Sequence, residues 1–285
     1  MRLDDVNESG NVEDTRGNKK TLAIGGGIGA IVIALVAAYL GVDPKLAQKF
    51  LGGGAGQQQQ AGPAPKDGMK EFSEKVLGTT NVVWREQFQQ NFGKKYQEPG
   101  MVIFSDKVDS GGCGVAPASV GPFYCPASKK LFLDPTFFEE LENKLGGSKA
   151  DFSKAYVIAH EVGHHVQNLL GYNARVEDYR RSEGQNAGIR LELQADYLAG
   201  VWAHHADRRY RILEKGDVES ALKTAKSIGD DRLQKRAKGW TNPESFNHGT
   251  SEQRYKFFNQ GLKTGDASEA ALEHFFNKRI KPLDL

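Results

Sequence analysis

The pattern of apolar and polar positions divides the 285 residues into four parts. Residues 1–20 are polar and mixed in charge, without a period that would pack, and they predict a disordered tail. Residues 21–42 contain no charged side chain and are long enough for a helix to cross about 30 Å of hydrocarbon. Residues 43–68, rich in Gly, Gln and Pro, predict a flexible tether. The remaining residues, 69–285, mix apolar and charged positions as a folded domain does.

The apolar stretch at 21–42 has two other interpretations, a buried core helix or the apolar region of a cleaved signal peptide. Signal peptides carry only about 7–15 apolar residues, so an uncleaved membrane anchor is favoured. Three cations, Arg16, Lys19 and Lys20, closely precede the stretch, whereas two lysines closely follow it. Because cations favour the cytoplasmic side, we expect a single-pass protein of a bacterial inner membrane, with a cytoplasmic N-terminus and a periplasmic domain.

Glycines inside the apolar stretch suggest two further interpretations. Gly25 and Gly29 have the GxxxG spacing that lets two membrane helices approach closely, which would make the chain a homodimer. Glycine is also frequent in membrane helices that do not pair. The same glycines fit the loose dinucleotide-binding pattern G-x-G-x-x-A, but that pattern requires a preceding strand and a following βαβ unit, and the sequence predicts neither.

The folded domain begins with mixed elements and continues as helices. Apolar spacing predicts a helix near 69–92 that is interrupted at Gly78, then short strands at 101–104 and 131–133, with 120–124 a weaker candidate. Helical spacing follows at 135–146, 151–170, 186–210, 217–228 and in two further segments near the C-terminus. A few strands followed by many helices predict an α+β domain, mostly helical with a small sheet.

Composition excludes one class of partner and leaves a question about the two cysteines. A hydrophobic content of 39% and a charged content of 26% are ordinary for globular proteins, and a net charge of +2 gives no reason to expect nucleic acid. Cys113 and Cys125 lie in a short stretch whose glycines and prolines can turn the chain back on itself. They are either free thiols or a disulfide, and the expected periplasmic location favours the disulfide.

The clearest chemical motif is His160-Glu161-x-x-His164, in KAYVIAHEVGHHVQNLLG. Its apolar neighbours predict a helix, on which His160 and His164 project from one face a single turn apart and can bind one Zn²⁺. Glu161 is close enough to take a proton from the attacking water and deliver it to the leaving amine. Gly163 would let another backbone pass close to this helix. The motif has only three fixed residues and also occurs by chance. The alternative to a zinc site is therefore a helix that carries two partly exposed histidines.

A third ligand separates these interpretations, because catalytic zinc takes three protein ligands and one open position. Glu192 and Asp196 lie at i and i+4 of a predicted helix and so share a face. Glu192 can coordinate the metal, and Asp196 can accept a hydrogen bond from the other nitrogen of a ligand histidine. Solvated surface charges are the alternative. The large apolar neighbours indicate instead a buried helix, where carboxylates need a cation or a metal.

The combination of HEVGHH with ELQAD resembles the glutamate-type zincins, and the chain is similar to the bacterial family of neutral zinc metallopeptidases. The similarity includes NVED near the N-terminus, the apolar span, GCG…GPFYCP, HEVGHHVQ, LELQAD and HGTSEQR, so it covers nearly the whole chain apart from the tether. It implies a zincin-like fold with one Zn²⁺ per chain. It also implies that His160, His164 and Glu192 bind the metal and that Glu161 is the base. Asp196 would be the carboxylate that hydrogen-bonds to a ligand histidine from behind.

Peptide hydrolysis through a tetrahedral intermediate requires a hydrogen-bond donor for its oxyanion. His248, in FNHGTSEQR, is the first candidate, and Tyr197 and Arg254 are weaker ones. The same segment can instead start a helix, since Thr250 or Ser251 followed by Glu252 and Gln253 is a favourable N-terminal cap. The two roles are compatible with each other.

Together these features predict a membrane-anchored zinc metallopeptidase that hydrolyses bonds in a peptide or protein substrate. Two alternatives remain. One is a binding or scaffold protein that keeps the zincin fold without catalysis, and the intact Glu161 argues against it. The other is a zinc amidase acting on cell-wall peptides, which would use identical ligands and would be separated only by substrate assays.

Overall fold

A computed structural model describes residues 1–17, 64–246 and 248–285, and these residues form two units. The helical unit comprises 1–11, 71–99 and 138–285. The strand unit comprises the described part of 12–70 together with 100–137. All the residues that the sequence predicts to bind zinc or to act on a substrate belong to the helical unit.

Short strands form two sheets in the strand unit. The first has four strands in the order β1 (Val12–Asp14), β2 (Gly100–Ile103), β6 (Lys130–Leu133) and β5 (Phe123–Cys125). β1 and β2 are parallel, as are β2 and β6, whereas β5 is antiparallel to β6. The second is an antiparallel pair of β3 (Lys107–Asp109) and β4 (Val115–Pro117).

A disulfide joins Cys113 and Cys125, whose Cα atoms are 5.8 Å apart, which confirms the disulfide interpretation. Cys125 lies at the end of β5 in an apolar core with Val102, Phe104 and Phe132, and Cys113 packs against that core. Closing a loop of 12 residues stabilises the fold by about 3 kcal/mol in the chain-entropy model. The bond therefore supplements a small core.

Helices account for most of the described chain, as the sequence predicts. They are α1 (Met69–Phe92), α2 (Thr136–Asn143), α3 (Asp151–Leu170), α4 (Tyr172–Glu183), α5 (Ala187–Tyr210), α6 (Asp217–Ser227), α7 (Asp230–Lys238), α8 (Ser251–Thr264) and α9 (Glu269–Glu273). Of these, α5 is buried along most of its length and contacts both α3 and α8. The α+β prediction is therefore confirmed.

Three glycines bring the central helices close enough to place side chains between them. A Cβ atom on Gly163 of α3 would stand 3.0 Å from the Cα of Ala195 on α5. A Cβ on Gly200 of α5 would stand 2.2 Å from the carbonyl oxygen of Phe258, and one on Gly261 of α8 would stand 2.1 Å from that of Tyr197. Backbone thus packs on backbone at both crossings, and α5 is held closely by α3 and α8.

Residues 1–17 contradict the disorder that was predicted for them as part of a tail at 1–20. Val12–Asp14 forms the edge strand β1, and the backbone N–H of Ser9 donates to the carbonyl of Glu74 on α1 at 2.9 Å. The prediction failed because this short segment has too little apolar pattern of its own and takes its order from residues more than 60 positions away. Residues 1–17 are thus part of the fold.

Helix α1 is continuous, so the interruption predicted at Gly78 is wrong. Gly78 serves a contact instead, because a Cβ there would stand 1.9 Å from the carbonyl oxygen of Asn7. The anchor expected at 21–42 and most of the tether expected at 43–68 lie outside the described residues. Within the described ranges, no helix is long and apolar enough to cross a membrane.

Replacing Gly78 with alanine tests the packing of the N-terminal segment. In an ordinary helix this change gains up to about 1 kcal/mol, but here the added methyl group must displace Asn7. We expect amide exchange in residues 7–14 of the Gly78→Ala protein to be at least about tenfold faster, measured by hydrogen–deuterium exchange with mass spectrometry. Gly10→Ala, where a Cβ meets nothing within 4 Å, is the control. Unchanged protection in Gly78→Ala would contradict the packing.

Candidate metal centre

Helix α3 presents its three motif residues at one place. The rings of His160 and His164 meet edge to face with centroids 4.8 Å apart. One possible ligand atom from each of His160, Glu161 and His164 lies within 4.8 Å of the others. Glycine at position 171, with φ of 86°, ends the helix after its last apolar turn. The motif therefore adopts the helical arrangement that its spacing predicts.

Helix α5 adds a carboxylate to the same cluster. One oxygen of Glu192, Oε2, lies 3.3 Å from His160 Nε2, and the other, Oε1, lies 3.5 Å from His164 Nε2. Two ligands that are each about 2.0–2.1 Å from one tetrahedral zinc ion stand about 3.3–3.4 Å apart. Each histidine Nε2 thus lies at a distance from one Glu192 oxygen that suits two ligands of one zinc ion. The close crossing at Gly163 explains how Glu192 comes so near to α3.

Asp196 lies one turn beyond Glu192 on α5 and has no solvent exposure. Its Oδ1 is 2.9 Å from His160 Nδ1 and accepts a hydrogen bond from the Tyr156 hydroxyl at 2.5 Å. Arg254 of α8 donates to both carboxylate oxygens, from Nε at 2.8 Å and from Nη2 at 3.0 Å. The Asp196 carboxylate therefore fixes the His160 ring, with Nδ1 engaged and Nε2 directed at Glu192.

The electrostatics of the cluster favour a cation. Burial lowers the pKa of His160, but the charges and hydrogen bonds of Asp196 and Glu192 outweigh it and raise the pKa to about 10. Burial raises the pKa of Glu192, yet His164 and His160 hold that pKa below its ordinary value. The site thus stabilises a positive charge beside an ionised carboxylate.

His248 lies in the loop before α8 and is held by Asp230, the first residue of α7. Asp230 Oδ1 is 3.2 Å from His248 Nδ1, while its Oδ2 accepts from the backbone N–H groups of His248 and Gly249 at 2.7 and 3.1 Å. Burial lowers the pKa of His248, but the hydrogen bond to Asp230 and the charges of Glu192 and Asp230 raise it overall. His248 is thus oriented from behind and is electrostatically coupled to Glu192.

The capping role predicted for the same segment is also present. The Thr250 hydroxyl accepts from the backbone N–H of Gln253 at 3.2 Å, and the Gln253 side chain accepts from the Thr250 backbone at 3.0 Å. This reciprocal capping box satisfies the first turn of α8. It also fixes where α8 begins, and hence where Arg254 enters the buried cluster.

The two weaker candidates for the oxyanion donor have other partners. Arg254 is committed to Asp196, and the Tyr197 hydroxyl donates to the backbone carbonyl of Asp266 at 2.6 Å. Sequence reasoning missed Tyr156 and Asp230 altogether. Tyr156 lies one turn before His160 on the motif helix, which is a signal that could have been used. Asp230 is 18 residues from its partner and carries no comparable signal.

Comparison with known proteins places the chain in a family. The family model described as "Putative neutral zinc metallopeptidase" matches residues 1–272. The uncharacterized protein YpfJ of Escherichia coli K12 is 40% identical over 285 residues, covering 94% of this chain and 97% of YpfJ. An uncharacterized protein of Mycobacterium tuberculosis H37Rv is 43% identical over 180 residues, covering 60% of this chain and 61% of that protein.

The chain belongs to this neutral zinc metallopeptidase family, as its motifs led us to expect. The match begins at residue 1, so the N-terminal segment that packs on α1 is part of what the family shares. No solved structure matches the chain.

Replacing Arg254 tests whether the buried carboxylate depends on it. Removing one partner of a buried ion pair costs about 3–5 kcal/mol, whereas exposed pairs contribute about 1 kcal/mol or less. We expect Arg254→Leu to lower the free energy of unfolding by the larger amount in urea titrations of chelator-treated protein. Arg209→Leu, which removes the exposed partner of Glu86, is the control and should lower it by less than about 1 kcal/mol.

The same comparison has an expected pH dependence. Arg254 and His160 outweigh burial and lower the pKa of Asp196 in the folded protein, so its stabilising effect is present above the unfolded pKa of about 3.9 and is lost as the pH falls below it. In Arg254→Leu, burial instead disfavours the charged form. The difference between the two proteins should therefore shrink as the pH falls from 7 towards 4. A small, pH-independent difference would contradict the assignment.

Proposed function

We propose that this protein is a zinc-dependent metallopeptidase with a zincin-like fold, in which His160, His164 and Glu192 hold the ion. The observation that carries the proposal is the approach of both histidine Nε2 atoms to the two oxygens of Glu192, at 3.3 and 3.5 Å. These contacts are longer than good N–H···O hydrogen bonds and match the separation of two ligands on one zinc ion. Two imidazoles and one carboxylate are also a common ligand set of catalytic zinc.

Bound zinc would supply Lewis acidity, polarising the scissile carbonyl and lowering the pKa of the attacking water. Glu161, which is 8% exposed at the same cluster, takes the proton of that water and passes it to the leaving amine. We assign Glu161 to proton transfer because Glu192 already contacts both imidazoles. His248, held at Nδ1 by Asp230, donates through Nε2 to the developing oxyanion.

Exposure indicates the side from which a substrate approaches. The side chains of His164 and Glu192 are each 19% exposed, whereas that of Asp196 is fully buried. The His248 side chain is 38% exposed. The cluster is therefore closed to solvent behind His160 and accessible beside His164, Glu192 and His248. A peptide substrate can reach the cluster only from that accessible side.

Zinc content and peptide cleavage test this function on the purified full-length chain. We expect about one zinc per chain by elemental analysis, retained in Glu161→Gln and largely lost in Glu192→Gln. Cleavage of a fluorogenic peptide library should fall by about 10²–10⁴-fold in Glu161→Gln, because proton transfer is lost while the metal stays. The exposed Glu177→Gln, which leaves the site untouched, should behave as wild type.

The same preparations separate the alternatives. In His248→Gln, we expect kcat to fall by about 10²–10³-fold with zinc retained, the signature of a lost oxyanion donor. A folded protein without zinc would refute the ligand assignment. Zinc binding without cleavage of any peptide would indicate the silent scaffold, and activity restricted to cell-wall peptides would indicate the amidase.

We also propose that residues 21–42 attach the protein to a membrane and that Gly25 and Gly29 pair two such segments. The support is the uncharged, apolar composition of the stretch, which favours its burial in lipid. Retention of the full chain in carbonate-washed membranes would support the attachment, and its release into the wash would refute it.

A further inference from the structure

A glutamine on the motif helix links two of the proposed zinc ligands. Gln167 of α3 is completely buried. Its Oε1 lies 2.8 Å from His164 Nδ1, and its Nε2 donates to the backbone carbonyl of Leu191 at 2.6 Å. Leu191 directly precedes Glu192 on α5. One side chain therefore contacts one ligand histidine and the backbone beside the ligand glutamate.

The Leu191 carbonyl determines which way the Gln167 amide faces. A carbonyl oxygen only accepts hydrogen bonds, so the amide nitrogen of Gln167 must point to Leu191 and the amide oxygen to His164. The amide oxygen also only accepts, so His164 Nδ1 must carry the proton. The Nε2 atom of a neutral His164 then presents its lone pair towards Glu192, as a metal ligand must.

We infer that Gln167 is a positioning residue that fixes the tautomer of His164 and ties it to the backbone at Glu192, an inference that rests on the proposed zinc function. It plays for His164 the part that Asp196 plays for His160. The two partners differ in chemistry, since Asp196 is a charged acceptor and Gln167 a neutral one that also donates to α5. Without Gln167, the His164 ring would be free to rotate. The proton could then move from Nδ1 to Nε2, which would no longer offer its lone pair to a metal.

Zinc affinity, measured by competition with a chelator on the full-length chain, tests this role. Loss of a partner behind a ligand typically weakens metal binding by 10–100-fold, and we expect a loss of that size in Gln167→Met, which keeps the length but cannot hydrogen-bond. Gln167→Glu retains an acceptor for His164 Nδ1 but, as a carboxylate, cannot donate to the Leu191 carbonyl, so it should recover part of the affinity. A purely structural role would not produce this recovery.

Gln194→Met is the matched control. Gln194 is also a completely buried glutamine, and it donates to the carbonyl of Leu272 at 3.0 Å without contacting a proposed ligand. The Gln194→Met substitution should lower the melting temperature of the protein and leave its zinc affinity within about threefold of that of wild type. If wild type and Gln167→Met bind zinc equally, the positioning role is wrong. If folded wild type binds no zinc, the proposed function itself has failed.

The N-terminal segment carries a second, independent inference. In the helical unit, Ser9 donates its N–H to the Glu74 carbonyl, and Asn81 donates from Nδ2 to Ser9 Oγ at 3.3 Å. In the strand unit, β1 pairs with β2, and Arg16 forms an ion pair with Asp67 at 2.5 Å. Residues before position 18 thus make direct contacts with residues after position 63 in both units.

These contacts restrict how the chain can meet a membrane. Groups 3 Å apart cannot lie on opposite sides of a hydrocarbon layer about 30 Å thick. We infer that residues 1–17 and 64–285 lie on the same side of any membrane to which the chain is attached. A single crossing at 21–42 would place them on opposite sides, so this inference is an alternative to the expected combination of a cytoplasmic N-terminus and a periplasmic domain.

Two cysteine variants of the full-length chain test this sidedness. Asn11 is exposed and Glu98 partly so, and the two side chains lie within 3.4 Å of each other. We expect Asn11→Cys and Glu98→Cys to react with a membrane-impermeant maleimide from the same side, in either intact spheroplasts or inverted vesicles. Wild type, whose two cysteines form the disulfide, is the unlabelled control. Labelling from opposite sides would refute the inference, whatever the zinc content.

Discussion

A single carboxylate without access to water, that of Asp196, is the constraint on which the centre depends. An ionised group can be buried only if charge and hydrogen bonds replace its hydration, and here Arg254, Tyr156 and His160 do so together. The partners come from two helices, α3 and α8, while Asp196 itself lies on α5. The same ion that must be neutralised for the protein to fold therefore also orients the His160 ring.

Close helix crossings make this arrangement possible. At Gly200 and Gly261 any larger residue would collide with the facing backbone, and at Gly163 it would crowd Ala195. The absence of these side chains lets α5 approach both neighbours, so that short side chains such as that of Asp196 can reach across. The glycines lie outside the buried cluster, but they determine how closely the helices approach. They thereby also determine the distances between the side chains within the cluster.

The sequence allowed prediction of whatever is local. The one-turn spacing of His160 and His164, and that of Glu192 and Asp196, follows from helix geometry, and the disulfide joins cysteines 12 residues apart. Arg254 was recognised only as an oxyanion candidate, because nothing in its neighbourhood shows that it meets a carboxylate 58 residues earlier. The order of residues 1–17 was missed for a similar reason. The order of this segment comes from its tertiary contacts, and the local sequence pattern does not reveal those contacts.

The order of α3, α5 and α8 along the chain has a consequence for how the protein is made. During synthesis, α3 and α5 emerge before α8, so until α8 arrives Asp196 lacks its guanidinium partner, Arg254. The nascent chain therefore lacks the ion pair that stabilises the Asp196 carboxylate beside His160. The buried cluster is therefore completed only after α8, the last of its three helices along the chain, has been made.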